Sequence, residues 1–372
     1  MKKICSGLLF IIVSFVVFID SAQAAFTQAD LAGNWYASVL STGSGEVSEK
    51  ADMVIDSLGN FTYTWVESGG ASDTDTGNLI LSSKGKITNS TDTSLQGAMN
   101  ISKDIFVFVL AWEPGTYALH IFSRVGSGLT TSDLQGIWYD FSLTTGSNEY
   151  WDTGTTTFDN EGNQSYTWNN SLGDSGSGTN VIAISSNGIA TSEDDQPMDF
   201  SRTVISSGKN LGFGVDISQR LSAHLKSGAS YVLEDLEGTW SVYDIISGSG
   251  EHILNEILTI NAQGDYSSLW TSSSGDSGTI TGTLNLSNIG VISTITGPTF
   301  QGFLSSDKDF AVGISTSGPG EYVFTTLFKE DTAMAVNNPP TPPTALSPGN
   351  GSTNLSLTPI LTTNTFTDSD TG

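Results

Sequence analysis

The sequence predicts an all-β chain of three tandem antiparallel barrel-like units, each about 102 residues long, followed by a partial β-sandwich module or a disordered tail. Three observations predict it. The pattern Asp-Leu-x-Gly-x-Trp begins at Asp30, Asp133 and Asp235, and its tryptophans Trp35, Trp138 and Trp240 lie 103 and 102 residues apart. Apolar residues alternate as in half-buried strands, and helical periodicity is absent beyond residue 24. Glycine, at 41 of 372 residues, exceeds its usual share and falls where tight turns are needed.

Residues 1–24 read as a secretory signal. Lys2 and Lys3 form the basic start, residues 8–19 are apolar, and Ala22-Gln23-Ala24 is an A-x-A cleavage site. The apolar stretch is shorter than a spanning helix of about 20 residues and ends at Asp20. No later segment is long and apolar enough, so no transmembrane segment is expected after cleavage. Cys5 lies before the apolar stretch, leaving a mature chain from Ala25 without cysteine. Such an exported chain is held by its cores alone, which suits a bacterial secreted or cell-surface protein.

The chain carries 39 acidic and 13 basic residues, a formal charge of −26. Without Asp20, Lys2 and Lys3 these become 38 and 11, or −27. That balance excludes a nucleic-acid partner, which needs a cationic footprint, and electrostatic docking on anionic lipid. Charged residues are only 14% of the chain, too few for a solvating acidic tail.

Repeat-equivalent residues set the units at 25–128, 129–228 and 229–330. Gly59, Gly162 and Gly264 keep the interval, as do Trp65, Trp168 and Trp270. The middle unit departs near its end, with an insertion around Glu193-Asp194-Asp195. A unit this long is the size of a whole domain, so three small domains in tandem are expected rather than one solenoid. In the third unit, turn residues separate eight strands: 239–246, 253–261, 265–272, 279–286, 290–295, 299–304, 310–315 and 322–329. Short gaps pair them as a meander, and eight such strands can close and remove both edges.

Gly33-Asn34-Trp35 goes with Arg124 at the end of its unit, Gly136-Ile137-Trp138 with Lys226, and Gly238-Thr239-Trp240 with Lys329. This pattern resembles the lipocalin, fatty-acid-binding and avidin group, the calycins. The resemblance implies an eight-stranded meander barrel whose terminal basic side chain lies over the indole at the closed end. The units are shorter than typical members, which leaves open a ligand cavity or an interior filled by its own side chains.

Residues 331–345 form a stiff linker around Pro339-Pro340-Thr341-Pro342-Pro343. Residues 346–372 resemble the opening strands of a fibronectin type III-like or immunoglobulin-like bacterial surface module, which needs about 100 residues. The chain therefore reads as a fragment of a longer protein, with a disordered tail as the alternative.

Chemical motifs are few. Gly173-Asp174-Ser175-Gly176 and Gly275-Asp276-Ser277-Gly278 resemble a serine-protease nucleophile, but His120, His224 and His252 sit at non-equivalent positions, so hairpin turns are expected there. Zinc is not expected without cysteine. Calcium candidates are Asp368 and Asp370, with Asp73, Asp75 and Glu193-Asp194-Asp195 more readily solvated loop acids. Asp30, Asp133 and Asp235 are expected to receive a backbone N–H where each first strand begins. No acidic pair for glycoside hydrolysis stands out. Trp35, Trp65 and their equivalents read as core, whereas Trp112 and Trp151 are the candidates for an exposed, sugar-stacking contact.

These readings combine into an exported, non-enzymatic repeat protein acting as a cell-surface or extracellular binding and adhesion array. Its partner is an extracellular protein, glycan or small ligand; it needs no cofactor other than, at most, calcium. The alternative is lipocalin-like binding of a small molecule or sugar within each barrel. A weaker one is a secreted hydrolase with an acidic site.

Overall fold

A computed structural model describes residues 26–92, 94–192, 202–228 and 230–330, with two short strands further on. Residues 1–24, expected to be a signal, the Glu193-Asp194-Asp195 insertion and Asp368 and Asp370 lie outside the described residues. The strands Ala345–Ser347 and Thr362–Thr363 pair antiparallel in one of two units.

Residues 25–332 form the other unit, with three closed eight-stranded antiparallel barrels in tandem. Barrel 1 comprises β1 (Gly33–Gly43), β2 (Ser48–Ile55), β3 (Asn60–Glu67), β4 (Ser72–Leu81), β5 (Lys86–Asn89), β6 (Gln96–Met99), β7 (Ile105–Glu113) and β8 (Thr116–Arg124). Barrel 2 comprises β9 (Gly136–Thr144), β10 (Tyr150–Phe158), β11 (Asn163–Asn170), β12 (Ser175–Ile184), β13 (Ile189–Ser192), β14 (Arg202–Ile205), β15 (Leu211–Asp216) and β16 (Arg220–Lys226). Barrel 3 comprises β17 (Gly238–Gly248), β18 (His252–Ile260), β19 (Asp265–Ser272), β20 (Ser277–Leu286), β21 (Val291–Thr296), β22 (Phe300–Leu304), β23 (Phe310–Gly318) and β24 (Glu321–Lys329). Each is a meander whose first strand also pairs its last.

That closing pair explains the Gly-x-Trp pattern. Trp35 lies opposite Arg124, Trp138 opposite Lys226 and Trp240 opposite Lys329. The cations sit over the indoles at 4.2, 5.6 and 5.4 Å from the ring centroids. Each indole Nε1–H donates to the carbonyl of the leucine four residues earlier, at 2.7 to 2.9 Å. Gly33 has φ +138°, and a Cβ there would lie 2.9 Å from Arg124 Nη1. Glycine is thus required both by the backbone and by the crossing cation.

A short 3-10 helix precedes each first strand, at Gln28–Leu31, Thr131–Leu134 and Leu233–Leu236. The carboxylates of Asp30, Asp133 and Asp235 accept the backbone N–H of Thr27, Thr130 and Val232, as expected. Each also meets a lysine, Lys103, Lys209 or Lys308, at 2.8 to 3.0 Å.

The barrels do not stand apart as separate domains. In β7, Phe106, Phe108 and Leu110 face the interior of barrel 1, whereas Ile105, Val107 and Val109 join a core shared by all three barrels. Phe141, Phe213 and Val215 reach it from barrel 2, and Tyr243, Phe310 and Phe324 from barrel 3. The packing is cyclic. Strands β1 and β2 abut β15 and β16; β9 and β10 abut β23 and β24; β17 and β18 abut β7 and β8. Strands apolar on both faces account for this, since a strand covered on one side only leaves its other face polar.

Candidate functional site

The three interiors differ at matching positions of the same scaffold. Barrel 1 places Phe106, Phe108, His120 and Phe122 inward on β7 and β8. The register puts Gly212, Gly214, Ser222 and His224 there in barrel 2, and Ala311, Gly313, Thr325 and Leu327 in barrel 3. Barrel 1 is consequently filled. Phe106 stacks on Phe122 at 4.3 Å and Phe108 on His120 at 4.5 Å. Glu49 is buried beside them and accepts a hydrogen bond from Tyr63 Oη. Burial pushes the Glu49 carboxyl up to about 7 and the His120 imidazole down to about 3.

Without those rings, barrel 2 keeps a cavity of about 460 Å³. Two polar arms cross its wall. His224 Nδ1 meets Asp140 Oδ1 at 2.7 Å, and Thr156 donates to Asp140 Oδ2 at 2.6 Å. Arg220 Nη2 lies 3.2 Å from Asp152 Oδ2, its Nε donates to Ser142 Oγ at 2.9 Å, and Ser142 donates to Asp152 at 3.1 Å. Burial raises the Asp152 carboxyl against the pull of Arg220. Tyr166, Trp168 and Asn170 complete the lining toward the β11–β12 end. The interior is therefore a set of donors and acceptors held in place by one another, with aromatic faces beside them.

Barrel 3 holds a cavity of about 490 Å³, open at one side, with mostly apolar walls. Two carboxylates enter it, Asp244 from β17 and Glu256 from β18, hydrogen-bonded to each other. Burial first, and the Glu256 charge second, hold the Asp244 carboxyl well above its ordinary range. Ser268 Oγ donates to Glu256.

Where the barrels meet, Glu46, Glu149 and Glu251 converge, one carboxylate oxygen of each lying within 4.8 Å of the others. Each bonds the next barrel around the cycle: Glu46 accepts from the Gly146 backbone, Glu149 from Ser247 Oγ at 2.7 Å, and Glu251 from the Gly43 backbone. Burial and mutual repulsion raise the carboxyls of Glu46 and Glu251. This is the one such group of three potential metal ligands among the described residues, and it supplies three of the six to eight oxygens that calcium takes. The signal is present in the sequence. Gly-Ser-x-Glu begins at Gly43, Gly146 and Gly248, but a search for acids adjacent in sequence passes over it.

Other residues singled out from the sequence fall as follows. Ser175 and Ser277 open β12 and β20 after glycine turns at Gly173 and Gly275 with φ near +90°. His224 bonds Asp140 rather than a serine, so no triad is assembled among the described residues. Asp73 and Asp75 lie on the exposed part of β4, and Asp75 accepts from Trp65 Nε1 at 2.8 Å. Trp35, Trp138 and Trp240 are core, each 1% exposed. Trp65, Trp168 and Trp270 are only partly buried: Trp65 packs against the barrel 1 core, whereas Trp168 is 36% exposed. Trp112 is exposed as expected. Trp151 is instead a contact between barrels, its Nε1 donating to Thr316 Oγ1 of barrel 3 at 2.9 Å. No described helix is long and apolar enough to cross a membrane.

No protein-family model matches the chain, and no curated protein matches it. Among solved structures, a point mutant of the vaccine antigen transferrin-binding protein B from Haemophilus parasuis is 8% identical, with 81% of this chain and 76% of that one covered at a TM-score of 0.29. The isotype 1 transferrin-binding protein B from serogroup B Neisseria meningitidis is 11% identical, with 77% and 66% covered at 0.27. Kievitone hydratase from Nectria haematococca is 7% identical, with 83% and 92% covered at 0.22. At TM-scores this low the likenesses carry no functional weight.

Proposed function

We propose that the chain is an exported, non-enzymatic binding protein and that barrel 2 holds a small hydroxylated ligand of sugar-like chemistry. The observation carrying this reading is the barrel 2 lumen, where Ser222 and His224 stand in place of His120 and Phe122 of barrel 1 and two partnered polar arms line the wall. Its size suits a small molecule, for which cavities of about 300–1,000 Å³ are usual. Asp140, Asp152, Arg220 and His224 offer both acceptors and donors to hydroxyls, and the Trp168 and Tyr166 rings offer faces to C–H groups.

Two features weigh against an enzyme. His224 activates no serine. The Asp244 and Glu256 carboxyls touch, whereas glycoside hydrolysis needs them about 5 Å apart or more. The multivalent surface-array reading draws on the same repeats: the cyclic packing covers the first and last strand pairs of each barrel and leaves the strands between them as three related outward faces.

The test is calorimetric titration of the full chain with a panel of monosaccharides and short oligosaccharides. At least one sugar should bind saturably, and Trp168→Ala and Arg220→Ala should each weaken it by about tenfold or more. Absence of binding across the panel, or sugar binding indifferent to both substitutions, would overturn the reading.

A further inference from the structure

We propose that barrel 3 is a second, independent binding site, for an amphiphilic amine with an apolar body and one cationic head. Its cavity of about 490 Å³ is walled by Val242, Ile246, Leu258, Leu284, Phe300 and Leu327. An interior of this kind takes a hydrocarbon or aromatic group, since apolar surface gains by leaving water. Two carboxylates in such surroundings demand a further explanation.

Asp244 is 5% exposed, and its Oδ1 has no hydrogen-bond partner. The same carboxyl group bonds Glu256 and Thr325. Among the described residues, no lysine, arginine or histidine lines the cavity. The pair has no cationic partner in an apolar chamber, an arrangement that is costly unless something supplies one. An ammonium group supplies that charge together with three N–H donors. One donor is directed at the Asp244 carboxyl and the others at Glu256, both of which line the cavity. The rest of the molecule then lies along the apolar wall.

The alternatives rank below it on the same grounds. An alcohol gives one donor but leaves the charge. A carboxylate ligand adds a third negative group. Barrel 2 has a histidine and an arginine close to its acids, so the same ligand is not expected there.

The test titrates the full chain with octylamine, octanol and octanoate, which share a chain length and differ in the head group. Octylamine should bind saturably at one site, octanol about tenfold or more weakly, and octanoate not at all. Asp244→Asn, nearly equal in shape, should remove the preference for the amine over the alcohol. Leu258→Trp, which fills the chamber, should abolish binding of both. Trp168→Ala in barrel 2 should change neither. Equal affinity for all three probes would overturn the proposal without recourse to any variant. So would undiminished amine preference in Asp244→Asn, or loss of amine binding in Trp168→Ala. The sugar titrations of barrel 2 do not involve Asp244, so the two readings fail separately.

Discussion

Arg202 of barrel 2 lies across Tyr36 of barrel 1, its guanidinium carbon 4.7 Å from the ring centroid. Nη1 reaches Asp52 at 2.8 Å, and Nη2 reaches the carbonyls of Ala37 and Ala51. The same tyrosine is held at its hydroxyl by a second barrel 2 residue, Asn187, whose Nδ2 donates to Tyr36 Oη at 2.5 Å. Arg202→Ala should lower the unfolding free energy by about 1–3 kcal/mol, through the lost cation–π contact and carbonyl hydrogen bonds. Arg202→Lys should recover only part of it, because an ammonium cannot bridge both carbonyls from one plane. Urea denaturation of the three proteins checks the order.

Gly33 is demanded by its backbone and again by the side chain of Arg124. Alanine there meets both a positive φ and a guanidinium nitrogen at 2.9 Å. Gly33→Ala should cost about 1–3 kcal/mol, and Trp35 fluorescence should shift as its cation is displaced. An unchanged spectrum with full stability would show the glycine to be dispensable.

The filled lumen of barrel 1 gives opposed pH effects. Glu49 titrates near 7 when folded against an ordinary 4.5, so the folded chain holds its proton more tightly. Its contribution is full below about 4.5 and is lost as pH rises toward 7. His120 titrates near 3 against 6.5, so stability is lost as pH falls from 6.5 toward 3. Relative to the parent, Glu49→Gln should gain stability most at pH 7. His120→Phe, which also removes two unpartnered buried nitrogens, should gain most at acid pH. Denaturation midpoints across this range decide it, and parallel curves for parent and variants would contradict both assignments.

The shared core makes a calorimetric prediction. Ile105, Val107, Leu119 and Ile121 of barrel 1 are covered by the other barrels, so removing those barrels bares a continuous apolar face. Residues 26–330 should unfold in one transition, and barrel 1 expressed alone should aggregate. Three resolved transitions would show that the barrels fold independently.

Relief of crowding at the meeting point of the barrels should also be measurable. Glu46→Gln keeps an oxygen for the Gly146 N–H and removes one of three close charges. Its melting temperature at pH 7 should rise, with the gain shrinking in acid as Glu251 takes up its proton.

The strands are legible in the sequence because alternation and turn glycines are local. The expected strand 265–272 matches β19, and the others in that barrel differ by a few residues at their ends. The shared core is written less plainly. Residues 105–110 are six apolar positions in a row, a run that a half-buried strand does not show, yet a run alone does not say what covers its second face. The lumens are hidden for the opposite reason. Comparing repeats finds what stays the same, such as Trp35, Trp138 and Trp240, whereas the lining differs at equivalent positions: Glu49 becomes Asp152 and then Leu254. Glu256 and Asp244 lie 12 residues apart on the two strands of one hairpin, diagonal neighbours on one face, and the repeats at their equivalent positions carry no such pair to mark them.

Each barrel meets its neighbours through two different surfaces, the first strand pair of one against the last pair of the next. Between identical copies, a head-to-tail contact of that kind runs on as a filament unless the rotation returns to its start, and here it returns after three steps. An unlinked barrel with both surfaces thus carries the design of a homotrimer whose three chambers must stay alike, since one coding sequence specifies them all. Covalent linkage lifts that constraint. A single substitution then alters one chamber and leaves the ring intact, which is how one protein comes to hold a plugged barrel, a polar one and an oily one.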